Sequence, residues 1–308
     1  MLAGLLPCAA PLAAQGAVGE FQFPTYPIGP QTVALGGAGV ALGRDAEGGL
    51  NPASLLNAPR VSIHHFQGYA DYSGNLLAAS VGLYSRLAVG FSLRHFGWKD
   101  VVQDDLGPGA GSLTAGNSEY ALTVASAPTP FLQVGVTASR LLTDNLGVRI
   151  AATSWSAGLI VRHSERGRAG IALRHAGAPA VNSDRSMRYP LPTRLRVGVA
   201  QGMHLKGTPV LLAVDGEVPT PEMSNWSIQA GLEWSPAPAL ALRGGYESAV
   251  NQNTGRYETR WAAGLGLTLG RFEVGLTKRL GGPPGADELF VGVDVLRPRP
   301  DQRGRPVM

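Results

Sequence analysis

Six histidines, the pair Asp104-Asp105 and a set of arginines interleaved with glutamates are the side chains that could do chemistry in this 308-residue chain. His64 and His65 are adjacent, so in an extended segment they point to opposite faces and cannot share a metal. His95, His163, His175 and His204 show no ligand spacing among themselves. Asp104-Asp105 could hold Ca²⁺ in a loop, but a solvated acidic pair is the simpler reading. "GGAGVALG" has the spacing G-x-G-x-x-x-G from Gly37, with no strand before it and no βαβ unit after it, so it is not a dinucleotide fingerprint. Serines and histidines are present without a nucleophile elbow. No catalytic residue, metal site or cofactor is assigned, and an enzyme is not expected.

The ionic residues are more informative. Arg174, Arg194, Arg196, Glu233, Arg243, Glu258 and Arg260 fall in extended segments, on the polar side of an alternating pattern. Such a row could select anions or acidic ligands, or its members could pair with nearby carboxylates. Net charge is +4, but only Lys99, Lys206 and Lys278 are lysines. Arginines scattered along strands are not the clustered patch that nucleic acid requires, so no nucleic-acid partner is expected.

The elements that must position these side chains are strands. In "RFEVGLTK", Phe272, Val274 and Leu276 share one face, and Glu273, Gly275 and Thr277 the other; "LQVGVTAS", "LAVGFSLR" and "LFVGVDVL" behave likewise. Alternation of this kind argues for strands with one apolar and one polar face. Fourteen such runs follow one another, from 61–70 to 286–296. Each spans roughly 9 to 13 residues, beyond the soluble mean of about 5 to 6 and close to the 9 to 11 of a tilted membrane strand. Tight links, as at Ser85 and Gly270, alternate with longer ones at 97–117, 143–152, 176–192, 218–225, 248–256 and 280–285. That alternation is expected of an outer-membrane barrel, with short periplasmic turns and longer extracellular loops. Trp226 and Trp234 bracket one strand; with a tilt of roughly 40° they stand about 20 Å apart along the membrane normal, close to the separation of two aromatic girdles. A soluble β-sandwich or propeller also alternates, but would put the apolar face inward and leave no reason for the charged face. The fold class is therefore all-β: a fourteen-stranded antiparallel transmembrane β-barrel with its charges in the lumen.

The chain ahead of the barrel is of another kind. "MLAGLLPCAAPLAAQ" reads as the apolar part of a secretory signal, residues 1–15, with its true start here or upstream. Cys8 is the single cysteine, so no disulfide framework is possible, and Pro7 before it argues against lipidation. Residues 16–59 form the next unit, the barrel wall covers 60–296, and 297–308 is an expected disordered tail. Seven of the 21 residues from Gly29 to Gly49 are glycine, too many for a core of its own. Asn51 can cap a short helix whose first position is Pro52. A lumen of this size is too wide for its wall side chains to fill, and such a turn could wedge inside it.

"QTVALGGAGVALGRDAEGGLNPASLLNAPRVSI" resembles the N-terminal signature of the FadL-type outer-membrane transporters and their PorV/PorQ relatives. The matching positions are Gly36, Gly37, Ala38, Val40, Ala41, Asp45, Asn51, Pro52 and Ala53. The resemblance implies a hatch blocking the lumen, formed by a segment in which Gly36, Gly37, Gly39, Asp45, Asn51, Pro52 and Ala53 are the residues of interest. It also implies outer-membrane lipid as surroundings, a Gram-negative host and a lateral opening in the wall. Two functions follow from it. FadL-type members pass hydrophobic small molecules without ATP, and PorV/PorQ relatives handle cargo with type IX secretion-machinery subunits. The chain is shorter than usual FadL-type transporters and lacks an obvious helical extracellular cap, which places it nearer the PorV/PorQ branch. Passive transport of small hydrophobic molecules is the leading expectation, and a docking barrel for secretion is the alternative.

Overall fold

The computed structural model describes residues 23–43, 49–68, 72–84, 86–101, 113–145, 148–183, 188–220, 226–250, 257–281 and 287–296. The expected signal segment, the tail, Asp45 and the pair Asp104-Asp105 lie outside the described residues. Ahead of the wall come a 3-10 turn at Phe23–Thr25, a short helix α1 at Pro30–Ala34 and a second 3-10 turn at Pro52–Asn57.

The first half of the wall is β1 (Val61–Gln67), β2 (Tyr72–Tyr84), β3 (Leu87–Val101), β4 (Leu113–Thr129), β5 (Leu132–Asn145), β6 (Val148–Arg162) and β7 (Gly167–Ala176). A small hairpin, β8 (Ala180–Asn182) with β9 (Arg188–Tyr189), follows. The second half is β10 (Arg194–Leu205), β11 (Thr208–Pro219), β12 (Ser227–Ala237), β13 (Leu240–Val250), β14 (Tyr257–Leu269), β15 (Phe272–Leu280) and β16 (Glu288–Val295). Each wall strand pairs antiparallel with its neighbours, and β1 pairs with β16 in the register Val61↔Val295. The sheet therefore closes on fourteen strands and has no free edge, which satisfies every ladder group of a wall placed in lipid. Where β7 stops, the β8–β9 hairpin continues the pairing along β6 through Ile150↔Asn182.

Strand lengths differ from the sequence reading, running from 7 residues in β1 to 17 in β4. The long link expected at 143–152 is not one: β5 reaches Asn145, β6 begins at Val148, and the two residues pair with each other. Likewise β3 and β4 extend to Val101 and back to Leu113, narrowing the link expected at 97–117. The cause is common to both. Hydrophobic alternation marks only the part of a strand that lies in the apolar band, whereas the hydrogen-bond ladder continues into the polar zone beyond it. At the opposite end the turns are short. Lys206 and Gly207 both have positive φ, 49° and 84°, as a two-residue primed hairpin turn between β10 and β11 demands.

The two faces of the wall are inverted relative to a water-soluble protein. Outward positions such as Ile63, Leu122, Val136, Val199 and Leu276 are exposed, while Arg94, Glu119, Arg174, Arg196, Asp215 and Arg243 are buried. His64 and His65 divide as adjacent strand residues must, the first buried within the barrel and the second exposed. Tyr84, Phe131 and Phe272, on or beside the short-turn hairpins, face outward. Trp226 and Trp234 are both about two-fifths exposed on the outer surface; Trp226 meets Tyr257 edge-on and Trp234 donates to Thr208 Oγ1 at 3.1 Å.

Candidate functional site

The chain's own N-terminal residues, 23–43 and 49–58, run inside the barrel. From α1 the backbone passes along the inner wall, and on most strands it lies where a glycine leaves room. A Cβ on Gly275 of β15 would meet Pro30 at 3.1 Å, one on Gly264 of β14 would meet Ala34 at 2.5 Å, and one on Gly231 of β12 would meet Leu35 at 2.6 Å. On β13, a Cβ on Gly245 would stand 1.9 Å from the Gly36 nitrogen. Farther round, Gly170 of β7 lies under Val40, Gly158 of β6 under Asn51, Gly135 of β5 under Pro52 and Gly90 of β3 under Leu55, each with less than 3 Å to spare for a Cβ. Glycine inside a strand marks such a close approach.

The segment turns sharply to follow this path. Gly36 and Gly37 have φ of 67° and 86°, a left-handed conformation that costs little only for glycine. Their local bonds close the end of α1: the Gly36 amide donates to Val33 O and the Gly37 amide to Thr32 O, each at 2.9 Å.

Strand β11 holds the segment differently, with a carboxylate. Asp215 Oδ2 accepts from the consecutive amides of Gly39 and Val40, at 2.7 and 2.9 Å, and Arg196 Nε lies 3.0 Å from the same oxygen. Arg196 also donates to Gly37 O at 2.7 Å. One wall ion pair therefore binds three consecutive parts of the backbone turn, as donor and as acceptor. Charge-assisted bonds of this kind are shorter and stronger than neutral ones.

Asn51 does for the second half what Asp215 does for the first. Its Oδ1 accepts from Ala53 N at 3.0 Å, capping the 3-10 turn, and its Nδ2 donates to Val40 O at 2.8 Å and to Leu159 O of β6 at 3.1 Å. The residue is fully buried. Replacing Asn51 by alanine removes the cap and orphans the Val40 carbonyl. Adding a cap loss to one unsatisfied buried acceptor gives about 3 kcal/mol, which corresponds to a roughly hundredfold loss of protection. Hydrogen exchange of peptide 49–58 in the refolded barrel checks this; protection equal to that of the parent would overturn it.

The other predicted ionic residues divide into two groups. Arg174, Arg194 and Arg196 surround Glu217 at 3.5, 2.7 and 3.5 Å, and Arg243 bridges Glu233 and Glu273 at 2.8 and 2.6 Å. Four arginines thus have carboxylate partners rather than an open anion path. Glu258 and Arg260 are only half-buried near the loop end, with Arg260 4.0 Å from Glu247. Sequence reasoning set Glu273 on the polar face without naming it as an ionic partner, and missed Arg94, Glu119, Asp215, Glu217, Arg279 and Glu288. They stand on the same side of the same alternation, so strand parity applied to every charged residue would have found them.

Above the ionic belt, towards the loops, the interior changes character. Phe66, Phe96 and Phe290 are buried there with Leu76, Leu141 and Ile150, and Phe23 and Tyr26 of the segment pack into them. Below the segment, at the short-turn end, a cavity of about 890 Å³ is lined by Gln31, Asn57, Glu233, Arg243, Glu273 and Asp294, among others. The described part of the segment thus has an open polar vestibule on one side and, on the other, an aromatic chamber that Phe23 and Tyr26 fill.

No family model matches the sequence, and no curated protein does. Solved structures do match in fold. The toluene transporter TodX of Pseudomonas putida superposes with a TM-score of 0.62 at 11% identity, over 87% of this chain and 98% of that one. The CymD monoaromatic hydrocarbon channel gives 0.59 at 14% identity, over 86% and 96%. A FadL homologue of Pseudomonas aeruginosa gives 0.59 at 9% identity, over 88% and 99%. These likenesses lend no support to the PorV/PorQ branch or to secretion-machinery partners. The chain has the closed fourteen-stranded fold of the FadL-like barrels of the Gram-negative outer membrane.

Proposed function

We propose that the protein passes small hydrophobic molecules passively across the outer membrane, with residues 23–58 acting as a hatch. The observation that carries this reading is the change along the lumen, from an aromatic chamber at the loop end to an ionic belt occupied by the segment. Among the described residues the segment narrows the way of a polar solute through the ionic belt, whereas an apolar molecule gains by leaving water for the chamber. The likenesses to transporters named for toluene and monoaromatic hydrocarbons point to ligands of that size. In this reading Asn51, Pro52 and Ala53 pin the hatch, and Gly36, Gly37 and Gly39 let it shift; Asp45 belongs to the same segment.

The test is uptake of radiolabelled toluene and naphthalene into liposomes carrying the refolded barrel. Apolar compounds cross bilayers unaided, so the vesicles carry a lipopolysaccharide outer leaflet to slow that background. The expected result is faster entry with the protein than without it, saturating with concentration. Equal entry rates would sink the transport reading.

A further inference from the structure

Tyr26 sits in the aromatic chamber the way a ligand would. Its ring lies 5.1 Å from that of Phe66 and 6.2 Å from those of Tyr72 and Phe96, the latter two edge-on. The Arg279 guanidinium stands 4.7 Å from its centroid, within cation–π range. Its hydroxyl donates to Glu288 Oε1 and accepts from Arg279 Nη2. Every one of these contacts is to a wall strand at least 40 residues away in sequence. The wall therefore presents three aromatic rings, one cation and one carboxylate around a single ring-with-hydroxyl. Tyr26, Tyr72 and Glu288 are half-buried while Phe66, Phe96, Arg279 and Phe290 are buried, so the cage opens on the Tyr26 side. Arg94 holds the occupant's backbone rather than its ring, donating to Pro24 O at 2.8 Å and Tyr26 O at 2.7 Å.

We propose that this cage is a binding site for small phenols, and that Tyr26 fills it as a built-in surrogate which an incoming phenol displaces. The inference rests on the transport reading, because it names a ligand class for the same lumen. The polar end of the cage selects the class. A neutral hydroxyl can donate to Glu288 and accept from Arg279 together. A hydrocarbon leaves both groups without that bond, with only their own Arg279–Glu288 ion pair remaining, and an aryl carboxylate brings a second negative charge against Glu288. An aliphatic alcohol keeps the hydroxyl bonds but loses the ring contacts and the cation–π interaction.

The experiment is calorimetric titration of p-cresol and toluene into the full-length barrel in detergent micelles, as parent, Tyr26→Ala and Tyr26→Phe. The emptied cage of Tyr26→Ala is expected to bind p-cresol about tenfold more tightly than the parent, and about tenfold more tightly than it binds toluene, one charge-assisted hydrogen bond being worth that factor. Tyr26→Phe keeps a ring in the cage and should bind p-cresol no better than the parent. Equal affinity of Tyr26→Ala for p-cresol and toluene would overturn the phenol assignment. Equal p-cresol affinity in all three proteins would overturn the surrogate role. Should Tyr26→Ala not refold, hydrogen exchange of peptide 23–36 in the parent decides: saturating p-cresol should speed it and toluene should not, and no difference between them overturns the proposal. Binding here needs no transport. Uptake without cresol binding removes only the cage, and cresol binding without uptake removes only the transport reading.

Discussion

Gly245→Ala is expected to open the lumen to ions, while the same substitution one residue earlier, Gly244→Ala, leaves it as it was. The two glycines are adjacent in β13 and differ only in face. A Cβ on Gly244 meets nothing within 4 Å, whereas one on Gly245 would sit 1.9 Å from the Gly36 nitrogen and 2.3 Å from the Leu35 carbonyl carbon. Both partners in that overlap are backbone, so no side-chain rotation relieves it. One of them must move. Gly245 is paired to Gly231 on one side and to Ala262 on the other, so shifting it would break ladder bonds in two strand pairs. The inner segment at this point is held by fewer contacts and gives way first. Overpacking of this kind costs about 1–3 kcal/mol, enough to raise the population of displaced segments about 5- to 150-fold. Single-channel recording in planar bilayers reads the result as longer or more frequent open events in Gly245→Ala alone. If the two variants conduct alike, the segment does not seal the lumen at β13.

Asp215→Ala carries the second large effect, and it acts through charge rather than shape. The carboxylate is 1% exposed, receives the Gly39 and Val40 amides and faces Arg196. Its removal leaves two orphaned amides and a buried guanidinium whose remaining carboxylate, on Glu217, is 3.5 Å away and shared with Arg174 and Arg194. Breaking a buried pair from one side costs about 3–5 kcal/mol. The segment can shed part of that by leaving the wall, so the loss should appear as faster hydrogen exchange over peptide 34–43 before any change in the strands. Asp215→Asn keeps an acceptor for the amides without the charge and should fall between parent and alanine. Parent-like exchange in Asp215→Ala would show that this carboxylate does not hold the segment.

The path of the inner segment leaves a trace in the sequence. "LAVGFSL", "LQVGVTA", "SAGLIV", "RAGIAL", "RVGVAQ", "QAGLEW" and "EVGLTK" each carry a glycine inside a strand, on the polar side of the alternation. A single such glycine is unremarkable. Recurring on the inner side of strand after strand, it marks an object lying against the inside of the wall. Alternation puts Gly135 and Gly275 on the polar face strand by strand, and only closure of the barrel lays both against one segment.

The fourteen strands and the inward charges were legible because period-two alternation is local: lipid on one face and lumen on the other impose it on every strand alike. The strand ends were not, because beyond the apolar band the ladder continues with no hydrophobic signal to mark it, as β5 and β6 show at Asn145↔Val148. The Asn51-Pro52 cap is also a local signal, and it appears as an Asn51 side chain accepting from Ala53 N. Partner choice was decided only by the tertiary structure. Whether Arg174, Arg196 and Arg243 would face open water or a carboxylate depends on which strands closure brings together, and on register to a single residue. Tyr26 is the extreme case: its partners Arg279 and Glu288 are more than 250 residues away. Nothing in its own neighbourhood specifies a ring-binding cage, since the cage exists only where a folded-in segment meets the far side of a closed wall.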